Sequence, residues 1–452
     1  MKKQKITTYE QAVDYIMNVP KFTTKNTMED TRSFLHVLGD PDRALVILHV
    51  AGTNGKGSVC AYLRSVLETA GKKVAVFTSP HLVDVRERFV IGGEMVTREC
   101  FLQAFLQVYD SLDWQRLETG TGYHPTFFEY LFFMAMLIFR EAKPDYCILE
   151  TGMGGRLDAT NAVSHKELAI ITHISLDHVE YLGHTLEAIA GEKAGILQPG
   201  VPVIYADTCQ EVREVIRERA QYLSVDAYSV SKSDYSFLKN SNKNIDFSYI
   251  SRYYGSVSLR LPTFAQYQME NCSLALRALE VLAEREEQRA AGEDKSDKMP
   301  LRLNKQILTE GVAACFWPGR MEEVQPEIYV DGAHNEDGIR AFLESVAVDG
   351  HKGIRSLLFG VVQDKDYPHM LSQIVSSGLF ERLSIVHLRC GRAASLETIE
   401  QVLEAYPGTL TAEYTSVPEA LQAILAQRKP EERIYIAGSL YLVGEVKEQL
   451  QA

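Results

Sequence analysis

The chain has 452 residues and a formal net charge of −13, long enough for two or three domains and a large core. Its acidic balance excludes a general binder of nucleic acid or of anionic membranes, whose charge has the same sign. The longest apolar stretch, Tyr130 to Phe139, is about half the ~20 residues of a membrane span. It therefore reads as a buried helix.

The amino terminus Met1-Lys2-Lys3-Gln4-Lys5 is basic, but no apolar signal region follows it. Thr7-Thr8-Tyr9-Glu10 has the pattern of a capping box and predicts a helix to about Met17. A second short helix ends at Gly39. The apolar run Leu45 to Val50 then predicts a strand, and the pattern from Val59 to Leu67 predicts a helix.

Between them stands His49-Val50-Ala51-Gly52-Thr53-Asn54-Gly55-Lys56-Gly57-Ser58. Glycines let the backbone curl its N–H groups inward at a phosphate, and the helix N-terminus adds partial positive charge. Lys56 can reach terminal phosphates and the Ser58 hydroxyl can bind Mg²⁺. The spacing departs from G-x-x-x-x-G-K-[ST], because Val50 occupies the first glycine position and Gly57 separates Lys56 from Ser58. An ATP-type phosphate loop remains compatible with an acidic chain, since it makes its own local field.

A strand at Val74–Phe77 completes a βαβ unit, so the sheet begins parallel. The polar segment from Thr78 to Phe89 has no clean period, and composition alone favours a solvated loop. Its place beside the phosphate loop, off a strand's C-terminal end, is where open α/β sheets bind ligands.

Pro125-Thr126-Phe127-Phe128-Glu129 predicts a capped helix start, with Glu129 as a cap. Tyr146 to Leu149 reads as a buried strand ending in Glu150, the position where phosphate-loop enzymes keep an acidic group that supports Mg²⁺. Thr151-Gly152-Met153-Gly154-Gly155-Arg156-Leu157-Asp158-Ala159-Thr160-Asn161 follows. Its glycines allow close backbone approach, and its polar groups can meet a ligand.

Ala169–Ile174 is a further strand with Ser175-Leu176-Asp177-His178 at its end, which makes His178 a candidate ligand. The helix from Thr185 carries Glu192-Lys193, which taken alone suggests a surface ion pair. Val201–Tyr205 reads as a strand, Glu211–Tyr222 as a helix, and Phe237 to Leu261 as short antiparallel strands. A helix starts near Gln266-Tyr267-Gln268-Met269-Glu270-Asn271 and runs to about Glu284. The charged stretch 285–298 is its tail plus an interdomain linker.

Beyond it a second α/β set follows, with strands at Glu327–Val330, Ile354–Val361, Leu383–His387 and Arg433–Ala437. Polar clusters Asp331-Gly332-Ala333-His334-Asn335, Asp364-Lys365-Asp366 and Gly438-Ser439-Leu440 follow three of these strands. The expected architecture is α/β throughout. A phosphate-loop ATPase domain with a mostly parallel sheet spans 1–295, and a smaller Rossmann-like domain spans 300–452. The seven cysteines contain no C-x-x-C pair, and Cys60 and Cys147 lie in apolar patterns, which suits reduced thiols in a cytoplasmic protein.

Taken together, the phosphate loop, Ser79-Pro80-His81-Leu82, Glu150 with Gly154-Gly155-Arg156-Leu157-Asp158-Ala159-Thr160-Asn161, Leu176-Asp177-His178, Glu192-Lys193-Ala194-Gly195 and Asp331-Gly332-Ala333-His334-Asn335 occur in one order. In that order they resemble the folylpolyglutamate synthase/dihydrofolate synthase family, within the Mur-type ligases, over nearly the whole chain. Glu336 stands where many relatives carry proline, and Thr151 where valine is common.

The resemblance implies a cytoplasmic ligase, expected to be a monomer, that uses ATP and Mg²⁺ to join L-glutamate to the glutamyl tail of a reduced folate. Activity on dihydropteroate stays open. Thr53, Asn54, Gly55, Lys56, Gly57 and Ser58 would hold the nucleotide, with Asn271, Arg320, Asp331 and His334. Ser58, Glu150, His178 and a carbamylated Lys193 would serve Mg²⁺. Lys56, His178 and Lys193 would act in catalysis. Ser79, Pro80, His81 and Arg86, with Arg156 and Asp158, would face the folate side. A phosphate-loop regulatory ATPase and a peptidoglycan-type Mur ligase are the competing readings. No extra domain for a UDP-sugar substrate precedes the phosphate loop.

Overall fold

The computed structural model describes residues 3–19, 26–241, 243–291 and 299–451. The chain forms two compact units. The first comprises Met1–Asp234, Ile250–Val257 and Glu270–Val312, and the second Tyr235–Tyr249, Ser258–Met269 and Ala313–Ala452.

The first unit is built on strands β1 (Ile47–Ala51), β2 (Val74–Phe77), β3 (Phe89–Ile91), β4 (Glu94–Met95), β5 (Tyr146–Glu150), β6 (Leu168–Ile171), β7 (Val203–Ala206) and β8 (Ala227–Val230). Their order is β4-β3-β2-β5-β1-β6-β7-β8. The six from β2 to β8 are parallel, and β3 and β4 are added antiparallel at one edge. Strand β1 lies inside the sheet and every residue of it is buried, as expected where helices cover both faces of a parallel sheet. Its register sets Val50 beside Glu150 and Ala51 beside Ile171. The phosphate loop, Glu150 and the segment after β6 therefore leave the sheet at one edge.

The helix Phe127–Ala142 is buried continuously from Tyr130 to Phe139, which accounts for its apolar run without a bilayer. Among the described residues no helix is long and apolar enough to cross a membrane. Thr126 caps it and Glu129 completes the capping box. Glu129 also accepts hydrogen bonds from Asn26 Nδ2 (2.6 Å) and Thr31 Oγ1 (3.2 Å). The first helix, Tyr9–Asn18, is capped one residue later than its sequence suggests. Thr8 pairs with Gln11 rather than Thr7 with Glu10, because Gln11 is the residue whose side chain reaches back to the cap backbone.

Strands β9 (Tyr235–Ser241), β10 (Asn244–Ser251) and β11 (Gly255–Leu261) form a three-stranded sheet with β10 in the middle, and β9 and β10 are antiparallel. Alternate residues of β10 are buried, the period-2 pattern of a half-covered sheet.

The second unit's main sheet contains β12 (Glu322–Gln325), β13 (Ile328–Val330), β14 (Arg355–Phe359), β15 (Arg382–Val386), β16 (Leu410–Tyr414) and β17 (Arg433–Ala437). The order is β12-β13-β17-β14-β15-β16, parallel except for β12. Strands β12 and β16 are absent from the sequence reading because both are half-exposed edges with no apolar run.

The helix Gln268–Ala291 extends well into the charged stretch, and the rest of the expected linker, 292–298, lies outside the described residues. The following helix, Lys305–Ala313, packs on the first unit: Ser65 Oγ donates to Gly311 O at 2.6 Å, and Leu308 and Val312 are buried.

Candidate active site

Gly52 and Gly55 have φ of +153° and +88°, values that side chains with a β-carbon rarely adopt. A β-carbon at Gly52 would strike Thr172 Oγ1, and one at Gly55 would strike Asn271 Oδ1. The turn between them is fastened to the chain leaving β6. Thr53 N and Asn54 N both donate to His173 O (2.9 and 3.2 Å), Thr53 Oγ1 donates to Ser175 O (3.1 Å), and Thr172 Oγ1 donates to Asn54 O (2.7 Å). Lys56 opens the helix Lys56–Thr69, whose N-cap Gly55 supplies no side-chain cap. Its ammonium curls over the loop, donating to Gly52 O and Thr53 O at 3.1 and 3.0 Å. The arrangement is that of an anion cradle with a cation above it.

Ser58 and Glu150 are both buried. Cys60, one turn into the same helix, has its thiol pushed far up by burial and then by the Glu150 charge, with Lys56 opposing. Glu150 and Lys56 thus lie within electrostatic range of one helical turn. Ser58 and Glu150 offer hard oxygen donors, and Mg²⁺ needs only one or two such protein groups when phosphates and water complete its shell. These residues fit that ion. Among the described residues no cluster of three His, Cys, Asp or Glu could hold a metal unaided.

The segment after β2 is not a solvated loop. Ser79 N donates to Glu150 Oε2 (3.0 Å). The Glu87 carboxylate gathers the N–H groups of Leu82, Val83 and Asp84 at 2.7, 2.9 and 2.8 Å. Arg88 is buried, donates from Nε to His81 Nδ1 (2.8 Å), and lies over the Phe127 ring (5.5 Å). Arg86 is engaged by Asp84 through three contacts of 2.7 to 3.1 Å. Sequence reasoning singled out Arg86, whereas Arg88 is the arginine buried beside His81.

In the glycine loop, Asp158 is buried, and its carboxylate accepts from Gly152 N and Met153 N (both 2.9 Å), Thr160 N (3.0 Å) and Thr160 Oγ1 (2.5 Å). Burial raises its pKa, and these donors oppose the shift. Since the Thr160 hydroxyl donates to Asp158, it accepts from His49 Nε2 at 2.8 Å. His49 is fully buried, and burial followed by the Lys166 charge holds it neutral.

Arg156 is more than half exposed and pairs with Glu192 at 2.7 Å. The surface ion pair suggested for Glu192-Lys193 is therefore corrected: Glu192 turns outward to Arg156, and Lys193 turns inward. Lys193 is buried and donates to Gly52 O at 2.8 Å. Burial, aided by the nearby Lys56 charge, pushes its amine down to about 7, while Asp177 and Asp158 pull the other way. His178 has φ +50° at the N-cap of Val179–Leu182, and its N–H meets Asp177 Oδ1 at 2.8 Å. The first unit thus gathers Lys56, Lys193, Asp177 and the phosphate loop at one sheet edge.

In the second unit, Asp331 is buried and accepts from Tyr267 OH (2.6 Å), Met321 N (2.9 Å) and Ala333 N (2.8 Å). Burial raises its pKa, and the Arg320 charge opposes this. Arg320 packs against Gly332, and His334 Nδ1 donates to Gly332 O at 2.7 Å. Glu336 occupies the first turn of the helix Glu336–Ala347, and Asn335 caps it, so the turn forms without proline. Tyr267 and Lys166 were not singled out in the sequence; each acts through partners remote along the chain, or through a carbonyl with no sequence signal.

Residues 50–279 match the Mur ligase middle domain, and residues 319–440 match the Mur ligase glutamate ligase domain. The dihydrofolate synthase/folylpolyglutamate synthase of Bacillus subtilis (strain 168) is 30% identical over 452 residues, covering 98% of this chain and 100% of that protein. An FPGS–AMPPCP–folate complex aligns with a TM-score of 0.82 at 28% identity, over 99% of this chain and 100% of that one. FolC of E. coli, in complex with DHPP and ADP, aligns with a TM-score of 0.81 at 29% identity, over 99% of each chain. With two domains matched in order and the similarity running nearly end to end, this chain belongs to the folylpolyglutamate synthase/dihydrofolate synthase family of Mur ligases.

Proposed function

We infer that the protein is an ATP-dependent ligase that adds L-glutamate to the glutamyl tail of a reduced folate. The observation that carries the reading is the convergence of Lys56 and Lys193 on the Gly52 carbonyl of the phosphate loop, in a chain similar throughout to proteins named for this activity.

A carboxylate does not react with an amine in water. The tail carboxylate first attacks the γ-phosphorus of ATP, forming an acyl phosphate as ADP leaves. The amine of glutamate then attacks the acyl carbon, and phosphate departs with the C–O electron pair while the nitrogen loses a proton. The protein's part is positioning and charge neutralisation. In this reading Lys56 meets the charge on the transferring phosphoryl group, while Thr53, Asn54, Gly55, Gly57 and Asn271 hold the nucleotide. Arg320, Asp331 and His334 of the second unit contribute further nucleotide contacts. Ser79, Pro80, His81, Arg86 and Arg156 serve the folate side, and Asp158 holds the glycine loop in shape.

Ser58 and Glu150 would hold one Mg²⁺, and His178 with Lys193 a second; bound there, the ions supply electrostatic stabilisation of the phosphates. A protonated ammonium repels a cation, so Lys193 must change form to serve one. Its neutral amine adds to CO₂, releases a proton and becomes an anionic carbamate with oxygen donors, the type Mg²⁺ prefers. Burial of the side chain supports this step. Seven free cysteines fit the reducing, cytoplasmic setting of the proposed reading; a monomeric state is part of the same proposal.

Steady ADP release should require both folate and glutamate. Hydrolysis that proceeds equally without glutamate would favour the regulatory ATPase instead. Product analysis with dihydropteroate and with tetrahydrofolate as separate acceptors decides whether the protein, like its Bacillus relative by name, serves both reactions.

A further inference from the structure

Lys166 has no part in the proposed ligase chemistry, yet it is fully buried. Its Nζ donates to Asn161 Oδ1 at 2.6 Å and to Ile196 O at 2.8 Å. Asn161 Nδ2 in turn donates to Arg156 O (3.1 Å) and Gly195 O (3.2 Å). On the other side of Lys193, Arg156 N donates to Glu192 O at 2.8 Å. The carbonyls of residues 192, 195 and 196 are thus all held by the glycine loop or by Lys166. They bracket Lys193, which with Lys56 reaches the Gly52 carbonyl.

A buried lysine is costly to the fold unless its donors are matched, and a surface clamp could hold the same turn without one. What burial adds is rigidity, because neither carbonyl can exchange its partner for water. We propose that Lys166 and Asn161 form a clasp that positions Lys193, with Lys166 acting as a positioning residue for the ligase reaction. This rests on the reading of Lys193 as a catalytic group. A displacement of about 1 Å at such a group can cost on the order of 100-fold in rate.

The test uses the full chain and Lys166→Met, which keeps an unbranched side chain and removes both donors. Folding is checked by circular dichroism at the assay temperature. The expected result is a fall in kcat of roughly 10- to 100-fold, with KM for ATP changed by less than about threefold. The decisive measurement is a double-mutant cycle. In the Lys193→Ala background, Lys166→Met should cost no further turnover, whereas a general structural role would cost the same in both backgrounds. Carbon-13 NMR with labelled bicarbonate adds a readout apart from activity: the carbamate resonance of the wild type should be absent in Lys193→Ala and weakened in Lys166→Met.

Wild-type kcat in Lys166→Met, or a loss undiminished in the Lys193→Ala background, overturns the clasp. A wild type without a carbamate resonance removes carbamylation instead and leaves the cycle to decide the clasp. Should Lys166→Met fail to fold, Asn161→Ser shortens the clasp from the loop side and must give the same non-additive pattern.

Discussion

Lys56 is the side chain whose chemistry is most exposed to test. Removing a cation that meets developing phosphoryl charge costs about 3–4 kcal/mol in comparable sites, on the order of 100- to 1,000-fold in kcat. Lys56→Ala should show that loss with an unchanged melting temperature, and near-normal turnover would sink the phosphate-loop assignment. Glu150→Gln should raise the Mg²⁺ concentration needed for half-maximal rate, because a neutral amide is a poor ligand for a hard cation. An unchanged Mg²⁺ titration would make Glu150 purely structural, through its bond to Ser79 N. Lys166 carries a pH signature. Burial pushes its amine down to about 7, whereas an unfolded lysine keeps its proton to about pH 10.4. Between these values the unfolded chain binds more protons, so stability rises with pH, by at most about 1.4 kcal/mol per pH unit. Thermal melts from pH 7 to 9 should show the wild type gaining on Lys166→Met; parallel curves would contradict a buried, easily deprotonated lysine.

The glycine loop shows what one element needs from a single buried carboxylate. Four donors converge on Asp158, and an amide in its place would turn an N–H₂ group toward some of them. Asp158→Asn should therefore cost about 1–3 kcal/mol of stability, read from thermal or urea unfolding, and should lower kcat/KM for folate. Elements that are contiguous in sequence were legible from it. Strand β1, the phosphate loop and its helix announce themselves within a dozen residues, and β5 delivers Glu150 at its tip as its apolar run implied. The segment 79–89 was not legible as structure, because its order comes from Glu87 folding back on three N–H groups and from Arg88 meeting His81. No periodicity encodes such contacts. Composition favoured a solvated loop because charged residues that satisfy one another look the same as charged residues in water. The inward turn of Lys193 was expected from the family resemblance and not from its neighbours: adjacent Glu and Lys suggest a pair, but helical neighbours one residue apart do not face each other.

The two units are interleaved in sequence, and that determines how the molecule can be cut. Residues 299–312 belong to the first unit although they follow the charged stretch. Leu301, Leu308 and Val312 are fully buried, and at about 2 kcal/mol each they account for a large share of a typical domain's 5–15 kcal/mol. A fragment ending at residue 295 strips all three and uncovers Val66, against which Gly311 packs. The second unit has the converse dependence on earlier chain. Tyr267 supplies a hydrogen bond to buried Asp331, Phe264 packs edge-on against Tyr329 with ring centroids 5.0 Å apart, and Lys243 pairs with Glu323 at 2.6 Å. Residues 313–452 alone lose all of these partners. Residues 1–312 should therefore melt well above residues 1–295, and 313–452 expressed alone should give weak or non-cooperative unfolding by circular dichroism. None of the three fragments should release ADP in response to folate and glutamate, since Arg320, Asp331 and His334 are proposed nucleotide contacts from the second unit. Equal melting temperatures for the 1–295 and 1–312 fragments would show that the helix Lys305–Ala313 contributes nothing to the first unit. Full ligase activity in either would remove the second unit from the mechanism.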